Sequence, residues 1–78
     1  MVVKKGSVVR LANGKNYLVD DIKTINGIEY IVFMDLQEAT FHIGMEEQKG
    51  NNLAYNFLNQ EDSIRIAKEI DKIDHKDE

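Results

Sequence analysis

The chain contains no cysteine and no proline, and it has only two serines and two histidines. Without cysteine, neither a disulfide nor a thiolate–metal site can staple the fold, which suits a reducing compartment. About four prolines would be average for this length, so turns must be made with glycine and asparagine instead. The five glycines stand at 6, 14, 27, 44 and 50, and no G-x-G-x-x-G or Walker spacing is present to cradle a phosphate. Neither Ser7 nor Ser63 lies on a glycine-flanked elbow, so a Ser7–His42–Asp arrangement has no support from the sequence. No stretch approaches the ~20 apolar residues of a membrane helix. The longest nearly apolar run, Ile28 to Met34, is interrupted by Glu29. Met1 is followed by two valines and then Lys4-Lys5, with no apolar run of signal-peptide length. The expectation is a soluble, cytoplasmic, non-enzymatic protein that uses no cofactor and no membrane.

Metal-ligand spacing is also missing. Asp20 and Asp21 are adjacent, so in a regular strand they point to opposite faces, and only a bulge brings them together. His42 and Glu46 lie four apart on strand geometry rather than helical geometry, and His75 sits in the tail. None of this matches a zinc site or a calcium loop. The acids read as solvated surface charges, and Gly44 inside a strand pattern marks a bend or a close approach.

What is present is enough apolar material for one core. Seventy-eight residues make one domain, with hydrophobic residues at 42% and with nine isoleucines and six aromatics. A domain of this size gains only roughly 3–5 kcal/mol from its core, so every apolar face matters. Two Asn-Gly pairs, Asn13-Gly14 and Asn26-Gly27, are each flanked by apolar-rich runs. Both residue types tolerate the positive φ of a two-residue type I′ turn, which matches the twist of the strands it joins. They predict three strands: Ser7 to Leu11, Asn16 to about Ile25, and Ile28 to Asp35. A two-residue turn at each pair sets Ile25 opposite Ile28, Ile22 opposite Ile31, Leu11 opposite Asn16 and Val9 opposite Leu18. One face then carries Val9, Leu11, Leu18, Ile22, Ile31 and Phe33. Asp20 would also point into it, at a cost, so a β-bulge at Asp20-Asp21 is expected, bending the long second strand.

The run from Ile28 to Met34 is apolar on both sides, which marks a strand covered on both faces. After a polar connection over Leu36 to Ala39, Phe41-His42-Ile43-Gly44-Met45 alternates, with Phe41, Ile43 and Met45 expected inward. Lys49 to Asn52 reads as a loop with turn chemistry. Leu53 to Phe57 follows as a fifth strand, with Leu53, Tyr55 and Phe57 inward. A helix over about 60–73 comes next. Asn59 suits its N-cap, Gln60, Glu61 and Asp62 suit the positive end of its dipole, and Ile66, Ala67, Ile70 and Ile73 form its apolar stripe with Ile64 at the edge. The tail 74–78 is expected to fray. The helix is read as the lid over the second face of the third strand. The fold class is therefore mainly β, a single domain with a strongly bent five-stranded antiparallel barrel over about 6–58 and one C-terminal amphipathic helix.

Net charge is −4, unevenly spread. Residues 1–15 hold Lys4, Lys5, Arg10 and Lys15 with no acid, while 60–78 hold seven acids against four bases. Such a chain is no general polyanion binder, but the first hairpin offers Lys4, Lys5, Arg10 and Lys15 around Tyr17 as a weak RNA- or DNA-binding patch. A second candidate surface is the outward face of Val8, Tyr17, Val19, Tyr30, Val32 and Met34, which is more apolar than a wetted sheet needs.

The run Gly6-Ser7-Val8-Val9-Arg10-Leu11-Ala12-Asn13-Gly14-Lys15-Asn16-Tyr17-Leu18-Val19 resembles the opening hairpin of SH3-like small barrels. In particular it is similar to the G-S-V-V-x-L-x-x-G start of small uncharacterised proteins from Gram-positive bacteria, some encoded near specialised secretion systems. The resemblance covers about the first quarter of the chain. It implies an SH3-like fold and a bacterial origin, and it implies no catalytic residues. The functional expectation is a binding or accessory module that acts on a protein partner or on a second copy of itself, with nucleic-acid binding as the alternative.

Overall fold

The computed structural model describes residues 3–50 and 52–75, and for Lys49, Asn52 and Leu53 it describes the backbone only. Five strands, β1 (Val8–Arg10), β2 (Asn16–Ile25), β3 (Ile28–Asp35), β4 (Phe41–Lys49) and β5 (Asn52–Phe57), precede one helix, α1 (Gln60–Asp74). The strands form one antiparallel sheet in the order β1-β2-β3-β4-β5, curled into a half-barrel with α1 on its outer side. The inward placement expected for Leu53 and the end of the tail lie outside the described residues.

The two Asn-Gly pairs make different turns. At Asn26-Gly27 both residues have positive φ, 53° and 81°, and Ile25 pairs with Ile28, as a type I′ hairpin requires. At Asn13-Gly14 only Gly14 is left-handed, at 82°. The Gly14 amide donates to the Leu11 carbonyl and the Leu11 amide to the Lys15 carbonyl, which makes the loop three residues long. The Asn13 side chain is the cause: its oxygen accepts from the Lys15 amide and its Nδ2 donates to the Tyr17 hydroxyl. The extra residue slips the first hairpin by one. Val9 faces Tyr17, and Val8 faces Leu18.

The bulge in β2, together with that slip, changes the inward set. A one-residue change of register moves a whole strand face across the sheet. Tyr17 and Val19, expected outward, are buried with Ile31 and Phe33 in the inner core, with Val9, Leu11, Ile22 and Tyr55 packed around them. Leu18, expected inward, stands on the outer face instead. The expected bulge is present, with Asp20 unpaired between Val19–Phe33 and Asp21–Val32. It reverses the face of Tyr17 to Val19, while Ile22 beyond it stays inward opposite Ile31. Slip and bulge are thus one adjustment: the bulge turns Tyr17 and Val19 inward, and the slip keeps Val9 inward opposite Tyr17.

The third strand is covered on both sides over most of its length. Ile31 and Phe33 face the inner core, while Tyr30 lies beneath α1 in a second core with Ile43, Ile66 and Ile70. The phase of β4 is the reverse of the one expected. Met34 pairs with Phe41, Val32 with Ile43 and Tyr30 with Met45, and paired residues share a face, so Phe41, Ile43 and Met45 point toward the helix side. Alternation shows which residues go together, but in a sheet with two apolar faces it does not say which face they take. His42 consequently lies on the inner side, stacked on Phe57 at 4.8 Å and edge-on to Tyr17.

The Asn59 side chain caps α1 by accepting from the Asp62 amide at 2.8 Å. Leu58 joins the helix to the sheet, its amide donating to the Ile43 carbonyl. At the far end Lys23 of β2 holds Asp74 at 2.6 Å. The helix therefore lies across the outer face from the β4–β5 side to β2.

Candidate functional site

The helix is narrower than the face it covers. Of its apolar stripe only Ile66 and Ile70 are buried; Ile64 is 50% exposed and Ile73 40%, and Ala67 is exposed as well. Beyond the helix edge, the register lines up Val8, Leu18, Met34 and Phe41, one from each of four neighbouring strands, on the outer face. Val8 is 57% exposed and Phe41 60%, the most exposed large apolar side chains among the described residues; Leu18 and Met34 are half-buried. The band runs into a groove of about 730 Å³ between α1 and the sheet, walled by Val32, Phe41 and Ile43 on one side and Ile64, Ala67 and Ile70 on the other. That volume is within the roughly 300–1,000 Å³ typical of binding pockets.

The rim of the groove is acidic, with Asp20, Asp71 and Asp74 around it. Asp74 is held below the usual carboxylate range, chiefly by its hydrogen bond from Lys23, whose ammonium is held correspondingly up. Asp20 projects from the bulge, where its exposure follows from being the unpaired residue. Asp21 beside it is tied down by Lys5, Lys23 and the Ile22 amide.

Of the candidate contact residues, Val8, Val32 and Met34 stand on this outer face. Tyr30 is on the same face but only 6% exposed under α1, and Tyr17 and Val19, at 2% and 0%, are in the inner core. The sequence reading missed Leu18, Phe41 and Ile64. The signal was there in β4, where Phe41 pairs with Met34 once the strand is threaded with its apolar set outward.

The basic patch is partly spent. Lys15 bridges Asp35 at 3.2 Å and Glu38 at 3.8 Å, and Lys5 reaches Asp21 at 3.7 Å. Lys4 and Arg10 are exposed. Tyr17, the aromatic expected among those basic residues, is buried against Phe33 and Phe57. The Lys15–Asp35 pair is structural: Asp35 is 1% exposed and also accepts from the amides of Gln37 and Glu38, closing the β3–β4 connection. The Gln37 amide above all, with Lys15, holds its carboxyl below the usual range.

The residues weighed for catalysis are not brought together. The Ser7 hydroxyl is engaged with the Lys4 carbonyl, and His42 lies on the inner side with Nε2 near the Thr40 hydroxyl, across the sheet from Asp20 and Asp21. Among the described residues no three histidine, aspartate or glutamate side chains gather as metal ligands do, and no helix is long and apolar enough to cross a membrane. Comparison with protein-family models, with curated proteins and with solved structures finds no match to this chain.

Proposed function

We propose that this is a non-enzymatic binding module of the SH3-like small-barrel type, acting through protein contacts, and that its contact surface is the part of the outer face left uncovered by α1. One observation carries the reading: Phe41, Val8 and Ile64 are each at least half exposed beside half-buried Leu18, Val32 and Met34. A contiguous apolar band rimmed by polar residues is the pattern of an interaction site. Burying it gains roughly 25 cal/mol for each Å² of apolar surface removed from water.

The occupant that suits it is an apolar segment of a partner protein carrying a lysine or arginine. Apolar side chains fill the groove, and the cation meets the carboxylates of Asp20 and Asp71 on the rim. Photo-crosslinking tests this. A photoreactive amino acid placed at position 41 or 64 should give adducts with a partner, and the same group at Lys68, exposed on α1, should give none. The adducts should disappear when Asp20→Lys is combined with either position. Equal labelling from all three positions, or no adduct from any, would remove the reading. An adduct of twice the chain's mass would assign the groove to a second copy.

A further inference from the structure

The sheet is curled but not closed, and its two edges face a common cleft. Strand β1 and its turn (Val9, Arg10, Leu11) form one wall of a cleft of about 320 Å³, and β5 (Ala54, Tyr55, Asn56) forms the other. The unpaired backbone groups can be assigned from the ladder. The Ser7 carbonyl accepts from the Val19 amide of β2 and the Leu11 amide donates to the Lys15 carbonyl just before β2, so by the alternation of an antiparallel pair Val8 and Arg10 direct their N–H and C=O groups away from it. On the other wall the Leu58 amide bonds to the Ile43 carbonyl, so Asn56 and Ala54 face β4 while Tyr55 and Phe57 face outward. Among the described residues, no hydrogen bond reaches these four outward backbone positions.

Strand parity explains why the edges do not simply join. In a five-stranded antiparallel meander the first and fifth strands run in the same direction. Direct closure would need a parallel ladder, which is slightly weaker per residue. A single additional strand running the other way is antiparallel to both edges at once, and closing the barrel removes both exposed edges.

Beside this cleft the inner face carries carboxylates. Glu46 pairs with Tyr55 on the inner side, and its Oε1 is sheltered from solvent with no hydrogen-bond partner. The β3–β4 register, continued one pair beyond Tyr30–Met45, sets Glu29 beside Glu46. Two like charges side by side are unfavourable. The Tyr55 hydroxyl feels both of them: burial first, then the charges of Glu46 and Glu29 and a hydrogen bond to the Glu46 carboxylate, push its pKa up.

We propose that the cleft between β1 and β5 accepts one extended strand from a partner protein, apolar on its inward side and carrying one inward lysine or arginine, which completes an all-antiparallel barrel. Main-chain bonds to both edges supply affinity, and alternate side chains supply selectivity. The inward apolar residues meet Val9, Leu11 and Tyr55, and the cation offsets the Glu29–Glu46 repulsion. The short β1 limits the pairing to about five residues, roughly 17 Å at 3.4 Å each. This site is distinct from the groove under α1 and stands whether or not that groove binds anything.

A displayed heptapeptide library selected against the full chain supplies the probes, and NMR titration of backbone amides maps them. Selected peptides should alternate apolar residues and carry a lysine or arginine. They should shift the amides of Val8, Arg10, Tyr55 and Phe57 and protect them from hydrogen exchange. Arg10→Pro removes an edge donor without touching the β1–β2 ladder and should weaken binding about tenfold. Glu46→Gln should reduce the preference for the basic residue at least about fivefold. If Arg10→Pro does not fold, a peptide N-methylated at alternate positions makes the same test on the unaltered protein. The proposal is overturned if no sequence is enriched, or if the shifts fall at Phe41 and Ile64. It is also overturned if a folded Arg10→Pro chain binds undiminished, or if the four amides become protected by concentration alone, which would give the cleft to a second copy.

Discussion

Gly44 and Asp35 show how tightly single positions are fixed. A Cβ on Gly44 would come to 3.1 Å from the Asn56 carbonyl oxygen and 3.1 Å from the Phe33 ring. The backbone contact cannot relax without moving β5, so Gly44→Ala should cost about 1–3 kcal/mol, read as a lower denaturant midpoint with an unchanged slope. Reading the position as a bend or close approach was within reach of the sequence, because a glycine weakens a strand and recurs where the chain bends or another backbone comes near; which atoms approach was not. Asp35 works through protonation. Its carboxyl has a lower pKa folded than unfolded, so its contribution is fully present above the unfolded value of about 4 and is lost as pH falls through the folded value. Thermal melts from pH 7 down to pH 2 should show the wild-type chain losing stability in that acid range. Asp35→Asn should be less stable at pH 7 and lose correspondingly less on acidification. An Asp35→Asn chain with the same acid limb as the wild type would show that other carboxylates set it.

The elements differ in how far local chemistry controls them. The second hairpin is fixed by its own turn, as the positive φ of Asn26 and Gly27 shows. The first is fixed by a side chain that competes for the turn. Asn13→Ala removes both Asn13 bonds and leaves the Tyr17 hydroxyl without its donor; the expected loss is about 1–3 kcal/mol, with the amide shifts of Ala12 to Asn16 changing most. In α1 the stripe divides by depth. Ile66 is 1% exposed and Ile64 50%, so Ile66→Ala should cost about 2–5 kcal/mol. Ile64→Ser should stay within about 0.5 kcal/mol and still weaken partner capture at the groove. Chemical denaturation of the two variants separates these roles.

At the level of the molecule, the helix joins a small outer core to a small inner one through the single sheet between them. Tyr30, Ile43, Ile66 and Ile70 form the outer core, and burying each such side chain contributes about 1.5–3 kcal/mol. Losing that burial is large against the roughly 3–5 kcal/mol that a domain of this size keeps from its core. A chain ending at Asn59 should therefore lose cooperative unfolding and bind an apolar dye through the uncovered Tyr30 and Ile43; a cooperative, dye-silent truncated chain would show that the inner core suffices.

Composition and local pattern were enough to define β2, β3, the Asn59 cap and the bulge at Asp20, because each rests on neighbours in the chain: a turn, a cap oxygen, a charge that must leave an apolar face. They were also enough to show that β3 needs cover on both sides. The face taken by β4, the burial of Tyr17 and Val19, and the open edge between β1 and β5 depend instead on contacts between residues far apart in sequence. A period of two is the same whichever way a strand is turned over. Only packing the strands and helix against one another left Phe41 and Val8 bare and Tyr17 enclosed, and with them the candidate surface.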